Sequence, residues 1–416
     1  MLGAFQRAVR VACGGGVSPH VAHTMCSSSV LSPPPSPRHR RQLSCQLRRG
    51  GLLAVLVAAL WPAGPVAADA AGPTDYRSVI TEVDVDGVTT VVSSPTDAAT
   101  SHAVQLLPGA LISVEGHDSF LWLRLEPGMT AAVPGYDGEA YLKIDADGSV
   151  WRNQRSFSTY YNQDRYGDAA RPAIVDHSAE PLWEQVDDDG SWAWHDHRIH
   201  LMDAEPPIGA SPGDPVVTAV VPMTIDDQQV RVRVVATLLD GAALWPTVLA
   251  ALVAGGVAAG VVAGGRRRWG RDRHPPAGVD DAALRIGVVV AGGAAVVSLV
   301  AGVGWRLYSP ADTGPLLTWW ALPATAVVGI VVAGWARPRS AFLAVAATLI
   351  AAVEVLIWVL GRTDVVSAAL TPTVLPHTVD RVLTALAAVW AVVAVGVSGW
   401  AVVRLVIRAP YRAPQR

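Results

Sequence analysis

Between residues 75 and 240 apolar and polar positions alternate in short runs, and after residue 240 the alternation gives way to long apolar blocks. Leu121, Leu123 and Leu125 alternate with Phe120, Trp122 and Arg124 ahead of Pro127-Gly128, the pattern of a half-buried strand closed by a turn. Residues 141–144 and 149–152 flank Asp145-Ala146-Asp147-Gly148, whose Asp-Gly pair supplies the positive φ of a tight hairpin. A second hairpin is expected where residues 216–225 run into 226–229 and Val230, Val232 and Val234 then alternate with Arg231 and Arg233. No stretch of this region carries a convincing amphipathic helical period. The expected fold class is therefore multi-domain: an all-β, sandwich-like extracytoplasmic domain over 71–240, followed by an α-helical transmembrane bundle of five helices over 241–408 and a short cytoplasmic tail at 409–416.

The five apolar blocks fall at 244–262, 286–305, 316–335, 340–360 and 382–403, each close to the length a helix needs to cross about 30 Å of hydrocarbon. Arginine sets the orientation. Residues 264–285, the turn at 336–339 and the C-terminal stretch hold Arg266, Arg267, Arg268, Arg271, Arg273, Arg285, Arg337, Arg339 and four more beyond Val403, whereas the alternate connections hold Arg306, Arg362 and Arg381. The positive-inside rule then puts the β-domain outside and the C-terminus in the cytoplasm of a multi-pass cell-membrane protein. Trp245, Trp319, Trp320, Trp335 and Trp358 lie near block ends, where interfacial tryptophans are expected.

The N-terminus fits that orientation. Arg38, Arg40, Arg41, Arg48 and Arg49 precede an apolar run at 51–60 and Ala68-Asp69-Ala70, so 1–70 reads as a low-complexity extension and a signal peptide cleaved near Ala70. Cys13, Cys26 and Cys45 are the only cysteines, and all precede that point, so thiolate metal sites and disulfides are not expected in the mature chain. Composition agrees with a membrane protein: 51% hydrophobic and 16% charged residues, with mean hydropathy +0.33. Residues 71–240 nonetheless carry roughly 27 acidic against about 10 basic side chains, which argues against nucleic acid as a partner. Asp187-Asp188-Asp189-Gly190 resembles part of a calcium loop but lacks the downstream oxygen ligands, and a turn is the simpler reading.

Within the apolar blocks few residues carry chemistry. Gly256, Gly260 and Gly264 recur at every fourth position and are expected to let helices approach closely, within the chain or between copies in a homo-oligomer. Glu354 is the one ionisable residue well inside a block, and a structural pair with Arg306 or Arg381 is favoured over a proton or cation relay.

The densest chemistry lies in residues 191–202, Ser-Trp-Ala-Trp-His-Asp-His-Arg-Ile-His-Leu-Met. In a strand, Trp192 and Trp194 share one face while Ala193, His195 and His197 share the other, which places the two histidines roughly 7 Å apart at Cα. His195, His197 and His200 are the candidate metal ligands, their imidazoles suiting copper or zinc, with His102, His117 or His177 as further donors. Asp196 and Arg198 lie between them and suit a structural polar network instead; a catalytic reading would draw on His195, His197 and Asp196 with Tyr160, Tyr161 and Tyr166. The aromatic and polar run containing Tyr160, Tyr161, Asn162, Asp164, Arg165 and Tyr166, together with Trp194, Asp196 and Arg198, is the candidate recognition surface. No Gly-x-Ser-x-Gly, His-Glu-x-x-His or phosphate-binding loop occurs, so no enzyme class is indicated.

Four motifs, Pro73-Thr74-Asp75-Tyr76-Arg77-Ser78, Pro134-Gly135-Tyr136-Asp137-Gly138-Glu139, Asn162-Gln163-Asp164-Arg165-Tyr166 and Trp194-His195-Asp196-His197-Arg198-Ile199-His200, together resemble an uncharacterised family of actinobacterial membrane proteins with an export signal, an outer β-domain and a C-terminal helical bundle. That resemblance covers nearly everything after residue 70 and implies the architecture without an activity. A looser similarity in architecture is to the periplasmic copper-binding CopC proteins and their membrane partners, although no histidine stands near Ala71 where theirs begin the mature chain, and their membrane part has more spans. The expected function is an integral membrane protein, not an enzyme, whose outward β-domain binds an extracytoplasmic protein or a small ligand; the alternative is copper or other metal handling through His195, His197 and His200. The lipid bilayer is the one partner common to both.

Overall fold

A computed structural model describes residues 71–95, 103–163, 165–203, 205–269, 281–309 and 318–407; the segment expected to be a signal peptide and the tail expected to be cytoplasmic lie outside the described residues. Among the described residues twelve strands are followed by five long helices. Eight strands form one antiparallel sheet in the order β2-β1-β12-β11-β6-β7-β8-β9: β1 (Tyr76–Val85), β2 (Val88–Val91), β6 (Ala131–Pro134), β7 (Ala140–Ile144), β8 (Val150–Asn153), β9 (Trp183–Asp187), β11 (Pro215–Ile225) and β12 (Gln228–Leu238). The other four, β3 (Val104–Leu107), β4 (Ala110–Glu115), β5 (Phe120–Leu125) and β10 (Ser191–His195), form a second sheet in the order β10-β5-β4-β3. One apolar core joins the two, with Ile112, Leu121, Leu123 and Trp194 from the small sheet packed with Ile80, Val133, Val230, Val232 and Val234 from the large one. This is the layered β-domain that period-two patterning predicts.

The strand pattern explains the local detail. Val230, Val232 and Val234 are buried while Arg231 is exposed, so the β12 alternation is that of a strand with one covered face. Its hairpin is tighter than the four-residue turn expected: Gln228 already pairs with Ile225, and Asp226 and Asp227 make the turn alone with φ of 45° and 66°. Two successive left-handed residues match the twist of the flanking strands. Pro222, inside β11, stands just before β6 begins to pair at Thr224, where a missing N–H interrupts no second ladder. Asp187-Asp188-Asp189-Gly190 is the turn that carries the chain from β9 to β10, with Gly190 at φ 76° and Asp189 Oδ1 accepting from the Ser191 backbone at 2.9 Å.

The chain is an integral membrane protein, with five helices long and apolar enough to span a bilayer. After the single turn α1 (Ser158–Tyr161), these are α2 (Trp245–Trp269), α3 (Asp281–Tyr308), α4 (Thr318–Ala336), α5 (Ala341–Leu360) and α6 (His377–Ile407). Their contacts are built on alanine: Ala294, Ala295, Ala301, Ala326, Ala351, Ala387 and Ala391 lie in one buried cluster. Small side chains let helix backbones approach where no hydrophobic effect drives them together. Gly302 marks the closest approach, since a Cβ there would stand 2.6 Å from the Trp319 carbonyl oxygen and 3.3 Å from Trp320 Cα. Both obstacles are backbone, so Gly302→Ala must push α4 from α3. We expect it to lower stability by about 1–3 kcal/mol, read as a fall in the thermal midpoint of the detergent-solubilised chain.

Several membrane expectations are corrected. Gly256, Gly260 and Gly264 do not pack α2 within the chain: all three face outward with open space at the Cβ position, while Ala254 and Ala258 make the contact. The Ala254 carbonyl there accepts the Trp390 indole N–H at 3.1 Å. Glu354 neighbours Thr325, not Arg306 or Arg381, because its side of α5 meets α4. Arg381 instead donates to the Ala368 and Ala369 carbonyls at 2.6 Å. Arg362, which the sequence places in a connection between spans, is buried against Asp380. Trp358, expected at the interface, is buried beside it, whereas Trp245 and Trp335 are exposed as interfacial tryptophans should be.

The β-domain is seated on the connection between α5 and α6. Thr74 and Leu370 exchange both backbone hydrogen bonds, at 3.1 and 2.9 Å, and Asp75 Oδ1 accepts from the Ala369 N–H at 2.7 Å. His117, in the turn between β4 and β5, places Nε2 3.1 Å from the Thr371 carbonyl and Nδ1 3.5 Å from the Tyr308 hydroxyl. These bonds join strand backbone to membrane bundle directly.

Candidate metal centre

Strand β10 ends at His195, so period-two alternation places Ala193 and His195 on one face but does not extend to His197. The expectation that a strand aligns His195 with His197 is thus corrected. Asp196 turns the chain instead: its N–H is bonded to the Ser119 carbonyl at 3.3 Å, and its own carbonyl accepts from Ile199 at 3.1 Å. Ile199 sinks into the apolar core, and that anchor brings His197 and His200 back over His195. The three ring centroids form a compact triangle with sides of 4.7, 4.8 and 5.1 Å. One nitrogen from each ring can be chosen so that all lie within 4.8 Å of one another, and all three residues are buried. A tetrahedral ion with bonds of 2.0–2.1 Å needs nitrogens about 3.4 Å apart, so shifts of about an ångström complete the fit.

The hydrogen bonds select the nitrogens. His200 Nδ1 is 2.9 Å from the Leu201 carbonyl, which cannot donate, so Nδ1 carries the proton and Nε2 presents its lone pair. His197 Nε2 is 2.8 Å from the Tyr161 carbonyl, and by the same reasoning its lone pair sits on Nδ1. Carbonyl acceptors behind imidazoles are how metal sites fix tautomer and ring orientation. His195 Nε2 lies 2.7 Å from His200 Nε2, a distance that one shared proton accounts for. Around the triad stand the Phe120 edge, 5.3 Å from His195, and the Tyr161 ring, 4.3 Å from His197. Burial first, then mutual repulsion with His200, His197 and Arg165, holds His195 well below the ordinary imidazole range. Burial and Arg165 push His200 down to about 4. Both are neutral at pH 7 and carry the lone pairs a metal needs.

A charged shell supports this cluster. Asp118, fully buried, is bound by Arg165, by Ser119 Oγ at 2.9 Å and by Thr74 Oγ1 at 3.0 Å. Burial alone would raise its carboxyl, and the Arg165 charge outweighs that and holds it below the usual range. Asp196 is taken up by Arg198, through Nε at 2.8 Å and Nη2 at 2.6 Å, and by the Trp194 indole at 3.0 Å. It makes no hydrogen bond to a histidine among those the structure shows; its partners are Arg198 and Trp194. Tyr136 donates to Asn162 and accepts the His197 backbone N–H at 2.9 Å; Asn162 in turn donates to Tyr141 at 3.2 Å. Burial and the nearby Asp196 raise the Tyr136 hydroxyl far above its usual range, so it acts as a neutral group.

Of the remaining predicted positions, Tyr160 bonds the Gln154 carbonyl at 3.1 Å away from the triad, Tyr166 is half exposed, and Asp164 lies outside the described residues. His102 also lies outside them; His177 is exposed on the loop after α1, and His117 belongs to the bundle junction. Three of the sequence motifs therefore meet at one end of the β-domain, where Tyr136, Asn162 and Arg165 border the histidine stretch. Asp118, Tyr136 and Met202 carry no site role in the sequence pattern alone. Met202, five positions past His197, was the one with a readable signal, a thioether inside a histidine-rich run. Searches against protein-family models, curated proteins and solved structures find no match for this chain.

Proposed function

We propose that this integral membrane protein binds a transition-metal ion, copper or zinc, through His195, His197 and His200 on an outward-facing β-domain, and that it binds the ion without catalysing a reaction on it. The observation that carries this is the convergence of three buried imidazoles, two with their second nitrogens committed to backbone carbonyls. A purely structural polar network would not need three histidines whose nitrogens gather within 4.8 Å of one another. The outward orientation rests on the arginine distribution about the five spans and on the signal-like N-terminus. The same motifs support kinship with the actinobacterial membrane proteins they resemble. Binding of another protein at the half-exposed Tyr166 loop is the weaker reading, because most of that loop is folded inward onto His197.

The experiment is calorimetric titration of the full chain in detergent with Zn(II) and Cu(II), wild type against His195→Ala, His197→Ala. One ion per chain is expected, with affinity reduced at least about a hundredfold in the double variant. Equal binding in both, or none in the wild type, would overturn the assignment.

A further inference from the structure

Met202 places its Sδ 2.7 Å from His197 Nδ1. Because the His197 proton sits on Nε2, facing the Tyr161 carbonyl at 2.8 Å, Nδ1 and Sδ confront each other lone pair to lone pair. A thioether has no hydrogen to lend. Placing the proton on Nδ1 instead would set the bare Nε2 against a carbonyl oxygen, a stronger repulsion than the one removed. A Lewis acid bridging nitrogen and sulfur relieves the conflict.

We infer that Met202 is the fourth donor of this site and that the resulting three-imidazole, one-thioether set is selective for monovalent copper. The inference rests on the triad being a metal site and goes further in naming the ion. Thioether sulfur is a soft, uncharged donor: it adds much to Cu(I) and little to Zn(II), which prefers thiolate, imidazole or carboxylate. Four neutral ligands in a buried pocket also suit an ion of charge +1 better than one of +2, since the desolvation cost grows with the square of the charge. The domain's other methionines are placed elsewhere, Met223 in the sheet core and Met129 beside Gly109 at the β3–β4 turn.

The test uses the full chain in detergent with Cys13, Cys26 and Cys45 replaced by serine, so that any sulfur ligand is a thioether. Anaerobic competition for Cu(I) against bicinchoninate, and calorimetry with Zn(II), are compared between that protein and its Met202→Leu variant, with X-ray absorption on the copper-loaded form. Leucine matches methionine closely in volume, and unchanged thermal unfolding of the metal-free variant confirms that folding is intact. The expected result is a Cu–S scattering path at about 2.3 Å, a fall in Cu(I) affinity of roughly tenfold or more in the variant, and Zn(II) affinity within about twofold. Cu(I) bound equally by both proteins with nitrogen scattering alone would overturn the role of Met202 and leave the triad standing. Failure of the parent protein to bind Cu(I), Cu(II) or Zn(II) would overturn the triad and this inference together.

Discussion

Arg362→Leu is expected to destabilise the membrane bundle by about 3–5 kcal/mol, the cost of stranding a buried charge. Arg362 and Asp380 are both fully buried side chains, and Nη2 donates to both carboxylate oxygens at 2.7 and 2.8 Å. The guanidinium carbon sits 4.0 Å from the Trp305 ring centroid and 4.6 Å from that of Trp358, and the Trp305 indole donates to Asp380 at 3.0 Å. Removing the arginine leaves Asp380 with one neutral donor from that set, in a place water does not reach. Replacing both partners, Arg362→Leu with Asp380→Leu, removes the stranded charge and should recover most of the loss. Unfolding of the purified protein in a mixed-micelle denaturant series measures both. A single variant as stable as wild type would show that this pair does not hold α3, α5 and α6 together.

Acidification is expected to loosen the seat of the β-domain on the bundle, through His117. Burial pushes its imidazole from 6.5 down to about 4, His377 and Arg77 act in the same direction, and the Thr371 carbonyl and Asp118 oppose them. The Tyr308 hydroxyl completes the group's surroundings. A folded-state value below the unfolded one means that the opened state takes up the proton more readily. The stabilisation is therefore complete above pH 6.5 and is lost as pH falls toward 4, in total on the order of 3 kcal/mol. Hydrogen exchange of residues 116–119 and 367–377 in detergent should accelerate between pH 7 and pH 4.5 after correction for the intrinsic rate. His117→Asn, which tolerates the φ of 69° at this position, should flatten that response. Equal slopes in the two proteins would assign the pH sensitivity to another group.

Much of the architecture was legible in the chain. Alternation at Leu121, Leu123, Leu125 and at Val230, Val232, Val234 identifies strands because the side-chain period of a strand is two whatever its partners. Apolar length identifies the five spans because the bilayer sets it. The histidines were legible as chemistry, and their arrangement was not. Strand spacing gave His195 and His197 a common face, yet the strand stops at His195, and a turn anchored by Ile199 makes the triangle. Nothing in local periodicity tells where a strand ends against a turn packed from elsewhere.

What the sequence by itself determined is therefore everything that depends on near neighbours or on the solvent: strand period, apolar span length, the acidic character of the β-domain and the presence of three imidazoles within six positions. The tertiary structure decided which groups meet. It paired Arg362 with Asp380, across the connection between α5 and α6, and set Glu354 beside Thr325 and not beside Arg306 or Arg381. It put Asp118 and Arg165 behind His200, and it turned Met202 onto His197. Buried charges and lone pairs are satisfied by whatever the folded chain brings within about 3 Å, and that proximity is a property of packing between distant segments.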